Sequence, residues 1–378
     1  MRILLNNIYY YPNLAGGAEI SVMKLAEELV KIQGNIVSVL CISDNGKYEQ
    51  ETINGVKVYR LPLKGDKQSR IKSRLNRVYN FTDYCIVRET ICKINPEVLH
   101  TNNLRAFSVA IWKVAKELKI PVVHTLRDYV LIDVYRYRIE KAIIKHYSNM
   151  VSAITAPSLY TLNTHLRAGL FSEAKEKCSI VNAIDIDMEK VSALFNEKAK
   201  NRNKNHRIFR FAYIGRFSEE KGVDWLVKVF SEHSENKELH LFGSGTLKVE
   251  TVERMKQQPS VVEHGMLPEV ELNLCLKEID VVIVPSLWEE PFGRVILDAY
   301  KNGIPVIVTN RGGMPENVQN GKTGLIIEPT DSDLQEAIHK MCNIEKIDTM
   351  CDNILALISK YTVKTQAERF MKLYKKVM

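Results

Sequence analysis

Residues 286–307 read SLWEEPFGRVILDAYKNGIPVI. They place Glu290 and Asp298 eight positions apart, on either side of the step Pro291-Phe292-Gly293. The stretch follows the apolar run DVVIVP, and Val295 and Ala299 fit a helix that begins near Arg294 and is closed by Gly303. The backbone N–H groups of Phe292, Gly293 and Arg294 are then helix-start donors without intrahelical acceptors. Such groups bind phosphate or hydroxyl oxygens. Glu290, just before the helix, suits sugar hydroxyls, and Asp298, one turn in, suits a vicinal diol. The dipole of a helix start also favours acids such as Glu289 and Glu290 with no ligand at all. Proline, an aromatic and glycine packed between the acids at a strand end argue for more.

A second stretch, YIGRFSEEKGVDWLV, sets Arg216 and Lys221 around a turn that opens a helix. Two cations at a helix start make a diphosphate pocket, each charged hydrogen bond contributing about 1.5–3 kcal/mol. The same residues also fit a solvated loop paired with Glu219 and Glu220. In YYPNLAGGAEISV, Gly16 and Gly17 allow close backbone approach to a ligand. They do not form G-x-G-x-x-G, so the dinucleotide fingerprint is absent. Gly312 and Gly313 follow the strand-like IPVIVT. Of two D-x-D patterns, Asp331-Ser-Asp333 precedes a helix and reads as a cap, and Asp185-Ile-Asp187 sits at a domain end. No metal is expected. His100 and His124 lie at strand ends, where either can face a ligand or be structural, and no Ser-His-Asp or Cys-His set can be assembled. The seven cysteines include no C-x-x-C pair, which fits reduced thiols in a cytoplasmic protein.

Positioning these residues takes two α/β halves. The chain has 378 residues, enough for about two domains. RILLNNIYY, a glycine turn, the amphipathic ISVMKLAEELVKIQG and NIVSVLCIS form a βαβ unit. EVLH, IPVVHTL, MVSAITAPS and CSIVNAIDID continue as strands of a first domain over residues 1–195. The charged, Asn-rich run from Asn196 to Arg210 reads as a linker. A second domain, residues 206–363, restarts the pattern with RIFRFAYIG, ELHLFGSG, DVVIVPS, IPVIVTN and TGLIIEP. Near-continuous apolar strands alternating with helices predict parallel sheets covered on both faces. Ligands of such sheets bind at the carboxyl ends of strands, where the glycines and charges gather.

Net charge is +8, which suits an anionic membrane surface or anionic small molecules. No nucleic-acid-binding pattern appears, and no partner of that kind is expected. Lys67, Arg70, Arg74 and Arg77 repeat at helical spacing beside Ile71, Leu75 and Val78. That is a basic amphipathic helix suited to anionic lipid, or a solvated surface helix. No stretch approaches the length of a spanning helix, and the N-terminus lacks the pattern of a signal peptide.

In order, PNLAGGAE, YIGRFSEEKG, PSLWEEPFGRVILDAYKNGIPVI and RGGMPE resemble the retaining glycosyltransferases of family 4, with VNAIDID as weaker support. The resemblance implies an α/β chain of GT-B architecture: two Rossmann-like, doubly wound domains facing across a cleft, with a last helix (364–378) that returns to the first domain. It implies a nucleotide-sugar donor, a UDP- or GDP-sugar, held by Arg216, Lys221, Glu290, Pro291, Phe292, Gly293, Arg294 and Asp298, with Gly16 and Gly17 approaching its phosphates. It implies metal-independent transfer with no cofactor. Arg216, Lys221, Glu290 and Arg127 are the catalytic candidates. His100, Asn102, Arg127 and Asp128 are the acceptor-side candidates. The family usually has Glu where this chain has Asp298, Gly where it has Ala183, and often His where TLRDY carries Arg127. Arg cannot serve as a base; at that place it suits a departing phosphate or an acidic acceptor. The implied product is a surface polysaccharide or lipid-linked glycan, made at the inner face of a membrane. The alternatives are a soluble transferase acting on a small molecule or protein, and a non-catalytic nucleotide-sugar-binding subunit.

Overall fold

The structure, a computed structural model, describes residues 1–13, 16–63, 81–104, 107–133, 138–202, 208–232 and 235–378. The basic stretch of Lys67, Arg70, Arg74 and Arg77 lies outside the described residues. Two compact units form: Met1–Ala183 with Val363–Met378, and Ile184–Thr362.

The first unit is built on β1 (Arg2–Asn6), β2 (Ile36–Ile42), β3 (Glu49–Ile53), β4 (Val56–Leu61), β5 (Val98–Thr101), β6 (Val122–Thr125), β7 (Ala153–Ala156) and β8 (Glu176–Ser179). Their order is β3-β4-β2-β1-β5-β6-β7-β8. Only β3 and β4 pair antiparallel; they form a hairpin turned by Asn54-Gly55, both at positive φ. The strand order reverses at β1, which lies between β2 and β5. Chains of apolar residues such as Ile3, Leu5, Val37, Val39 and Val98 fill the core on one side of the sheet, and Leu4, Leu99, Trp112 and Phe171 on the other.

The second unit carries six parallel strands: β9 (Phe209–Ile214), β10 (Lys237–Phe242), β11 (Val261–Gly265), β12 (Val281–Val284), β13 (Val306–Thr309) and β14 (Gly324–Ile327). Their order, β11-β10-β9-β12-β13-β14, reverses between β9 and β12. The loops after these two strands flank the place where an open parallel sheet takes a ligand.

The division between units falls earlier than the expected linker. Helix Met188–Arg202 runs into the charged run and belongs to the second unit. Buried Lys198 anchors it by donating Nζ to the carbonyls of Leu276, Ile279 and Asn302. Strand β8 also ends at Ser179, upstream of VNAIDID, where the chain leaves the sheet. Asp187 accepts from the N–H groups of Glu189 and Lys190 and so starts the helix. In the second D-x-D, Thr330 is the cap, accepting from Asp333 N–H, and both aspartates lie in the first turn.

Helix Val363–Val377 packs Ala367, Phe370, Leu373 and Tyr374 into the first unit's core. There His100 is fully buried. Its ring nitrogens meet the Tyr374 hydroxyl at 2.6 Å and Thr125 Oγ1 at 2.7 Å. Burial, reinforced by the charge of Arg127, lowers its pKa well below the usual histidine range. Burial likewise pushes His124 down to about 3. Both rings are neutral when folded and take up a proton when unfolded. Their contribution to stability is therefore complete above the unfolded pKa and is lost as pH falls below about 6.5. Chemical denaturation of the full chain is expected to show the first unit weakening by up to about 1.4 kcal/mol per histidine for each pH unit below 6. Tyr374→Phe, which leaves the buried His100 nitrogen unpaired, is expected to cost about 1–3 kcal/mol in the same assay at neutral pH.

Candidate functional site

In the second unit the site is assembled from loops after β9, β10, β12 and β13. The loop after β9 runs through Gly215, Arg216 and Phe217 to a single 3₁₀ turn, Glu219–Lys221. The Tyr213 hydroxyl donates to Arg216 O at 2.6 Å and shapes the turn from below. Gly222 closes it at φ +71°, and a Cβ there would sit 2.0 Å from Pro285 O. Only glycine lets this turn lie against the end of β12. The two loops are then stitched together: Glu220 O accepts from the N–H groups of Leu287 (2.9 Å) and Trp288 (3.1 Å) and from Ser286 Oγ (3.2 Å).

This stitching sets the central pair. The Lys221 ammonium is ion-paired with the Glu290 carboxylate, and Ser286 Oγ donates to the same carboxylate oxygen at 3.1 Å. Lys221 Nζ also lies 5.5 Å from the centre of the Trp288 ring, within cation–π range. Both charged side chains are largely buried, Glu290 at 13% exposure. A pair so shielded is far better fixed than an exposed one. Arg216 is brought to the same turn but points outward, 68% exposed, and pairs with Glu220 at 2.7 Å.

Gly293 adopts a left-handed conformation as N-cap of helix Arg294–Lys301. Among the described residues, no acceptor takes the backbone N–H of Phe292 or of Gly293. The Phe292 ring is buried, and Asn317 Nδ2 donates to Phe292 O at 2.8 Å, fixing the loop from the other side. Pro291 lies within this turn, beside Glu290. Glu289 accepts from Gly312 N–H at 2.5 Å, and Glu290 O accepts from Gly313 N–H at 2.7 Å. The glycine pair after β13 is therefore a brace under the acids. On the helix, Arg294 Nε is 3.9 Å from Asp298 Oδ2. The Asp298 side chain is 41% exposed, yet the protein around it desolvates the carboxyl enough to raise its pKa against the pull of Arg294 and Lys301.

Gly243 and Gly245, in GSG after β10, are residues the sequence reasoning missed. Phe217 N–H donates to Ser244 O at 2.8 Å and Thr246 N–H to Phe217 O at 3.1 Å, so this loop seats the Arg216 turn. A glycine pair at a strand end was the available signal. Ser286 and Trp288 were also passed over, because neither residue type announces a role before the loop is folded.

In the first unit, Asn102, His124, Arg127 and Asp128 line one recess with Leu126 and Leu131. Arg127 donates Nε to Asn102 Oδ1 at 2.9 Å and Nη1 to Asn182 Oδ1 at 3.0 Å. Asn102 in turn donates Nδ2 to Asn6 O. The guanidinium is thus held by two amide oxygens, and Asn182, quoted only as part of VNAIDID, is one of them. Asp128 accepts from Val130 N–H at 3.0 Å and opens a short helix. His100 is a correction: it does not face a ligand, because it is fully buried with both ring nitrogens engaged. Gly16 is extended and caps helix Gly17–Lys31 at its start.

Residues 195–354 match the family model described as Glycosyl transferases group 1, and residues 15–187 the model Glycosyltransferase Family 4. An uncharacterized 42.6 kDa protein in the cps region of Klebsiella pneumoniae is 30% identical over 342 residues, which cover 84% of this chain and 87% of that protein. Among solved structures, sucrose-phosphate synthase from Thermosynechococcus elongatus aligns at TM-score 0.74 and 20% identity over 100% of this chain and 98% of that one. Anabaena Alr3699/HepE, in complex with UDP, aligns at TM-score 0.72 and 20% identity over the whole of both chains. The chain belongs to the family 4, group 1 glycosyltransferases, with the GT-B fold of two Rossmann-like domains.

Proposed function

We propose that the protein transfers a sugar, with retention of configuration, from a nucleoside-diphosphate sugar to a glycan or lipid-linked acceptor in surface-polysaccharide assembly. The observation that carries this reading is the partly buried Lys221–Glu290 pair beside the two unpaired N–H groups of Phe292 and Gly293. An ammonium and bare amides in one place suit a pyrophosphate, and a carboxylate next to them suits the hydroxyls of the attached sugar. Arg216, on the same turn, adds a second cation from the solvent side. Asp298 takes the ribose diol. The UDP complex of HepE favours a uridine donor, and the relative from a cps (capsule polysaccharide) region favours a polysaccharide product.

In this reading the departing phosphate oxygen takes the acceptor's proton on the face where the sugar leaves. Lys221, Arg216 and the amides stabilise the charge that develops there. They do so without a metal ion, consistent with aspartates of both D-x-D patterns being placed at helix starts. Arg127, steadied by Asn102 and Asn182, anchors an anionic part of the acceptor. Arg127→Ala is accordingly expected to raise the acceptor KM at least about tenfold, while calorimetric affinity for UDP stays within about twofold. A matching loss of UDP affinity would remove Arg127 from the acceptor side.

The reading is tested by thermal shift with UDP-, GDP- and ADP-sugars, since a bound donor raises the melting point, followed by nucleotide release with membrane extract as acceptor source. No shift with any nucleotide sugar would contradict it.

A further inference from the structure

The surplus of positive charge is not spread along the chain. The first unit contains 31 Lys and Arg against 17 Asp and Glu, a surplus of 14, and the second contains 22 against 28, a deficit of 6. One described helix of the first unit concentrates this surplus on a single face. Helix Arg138–Ser148 turns Glu140, Ile144 and Ser148 inward. At 100° per residue, Lys141, Lys145, Arg138, Ala142, His146 and Ile139 follow one another around the outer arc, and all six are exposed. Arg138, Lys141 and Lys145 enter no ion pair among the described residues. Lys145 reaches over Gly169, two residues beyond the exposed Arg167 that ends the helix Leu159–Arg167. At the end of this cationic arc stands Ile139, 63% exposed.

We infer that this face docks the protein on an anionic lipid bilayer. Three unpaired cations in a row match a negatively charged leaflet, with each Lys or Arg near the surface strengthening binding about fivefold. Ile139 distinguishes a bilayer from a soluble polyanion. An isoleucine beside the cations gains nothing against a hydrated polyphosphate, but enters the boundary between headgroups and acyl chains. The acidic second unit supplies no comparable surplus. The inference deepens the proposed lipid-linked acceptor but rests on charge and exposure, so vesicle binding and sugar transfer fail separately.

The test is co-sedimentation of the full chain, without donor, on phosphatidylcholine vesicles with and without phosphatidylglycerol. Binding is expected only to the vesicles containing phosphatidylglycerol. The triple variant Arg138→Gln, Lys141→Gln, Lys145→Gln is expected to lower partitioning roughly 100-fold. A charge-matched triple in the second unit, Lys256→Gln, Lys322→Gln, Lys360→Gln, is expected to change it less than about threefold. Ile139→Gln, with no change in charge, is expected to lower it about tenfold. All substituted side chains are exposed, so each variant should melt as the parent does. Transfer to a water-soluble acceptor should be unchanged in the first triple. Equal losses in the two triples would show attraction by charge in general and overturn the inference. So would parental binding by the first triple or by Ile139→Gln, or binding to soluble polyphosphate with none to vesicles.

Discussion

Lys221→Ala lowers kcat/KM for donor turnover by about 10²–10³, measured by nucleotide release under saturating acceptor. Two effects combine. The ammonium proposed to meet the departing phosphate is gone, and Glu290, at 13% exposure, loses its ion pair. A largely shielded carboxylate that keeps the Ser286 Oγ hydrogen bond but loses its countercharge is costly. Glu290→Gln separates the two. It keeps a polar side chain beside Lys221 and removes the negative charge, so the ammonium is released toward the phosphates. It is expected to retain UDP affinity while losing rate, because the hydroxyl contacts of the sugar weaken. Arg216→Ala is expected to cost less than Lys221→Ala, since Arg216 is 68% exposed and its charge is screened by water. Equal rates in the parent and Lys221→Ala would remove the ammonium from catalysis.

Gly222→Ala destabilises the second unit by about 3–5 kcal/mol, read by chemical denaturation. A Cβ would stand 2.0 Å from Pro285 O, a backbone atom that cannot swing away, and the residue holds φ +71°. Relief requires the turn to lift off β12. Lifting it breaks the bonds from Leu287 and Trp288 to Glu220 O and draws Lys221 from Glu290. Loss of UDP affinity should therefore accompany the loss of stability. A stable Gly222→Ala protein with parental affinity would show that the stitching of the two loops is unimportant.

The architecture was legible because parallel strands buried on both faces leave long apolar runs between glycine turns. β2, β9, β12 and β13 all begin and end close to where their runs do, and β1 begins with its run but stops at Asn6, short of the end of RILLNNIYY. The hairpin of β3 and β4 was passed over although Asn54-Gly55 marks it, because EQETI is polar and sits at a sheet edge where only one face needs burial. The unit boundary was misplaced for a related reason. A helix rich in Asn, Lys and Glu looks like a linker, yet Lys198 and Val191 bury one side of it. At the site, acids, cations and glycines were visible by type and spacing. The pairing of Lys221 with Glu290 was not, since 69 residues separate them and only the reversal of strand order between β9 and β12 brings their loops together. His100 misled for the opposite reason. A histidine at a strand end looks available until the final helix supplies Tyr374 to cover it.

The most direct measurement is a crystal structure of the second unit's site in the full chain soaked with UDP and, separately, GDP. The account places the diphosphate within hydrogen-bond distance of Lys221 Nζ and of the N–H groups of Phe292 and Gly293. A diphosphate bound elsewhere, with the Lys221–Glu290 pair untouched, would contradict it.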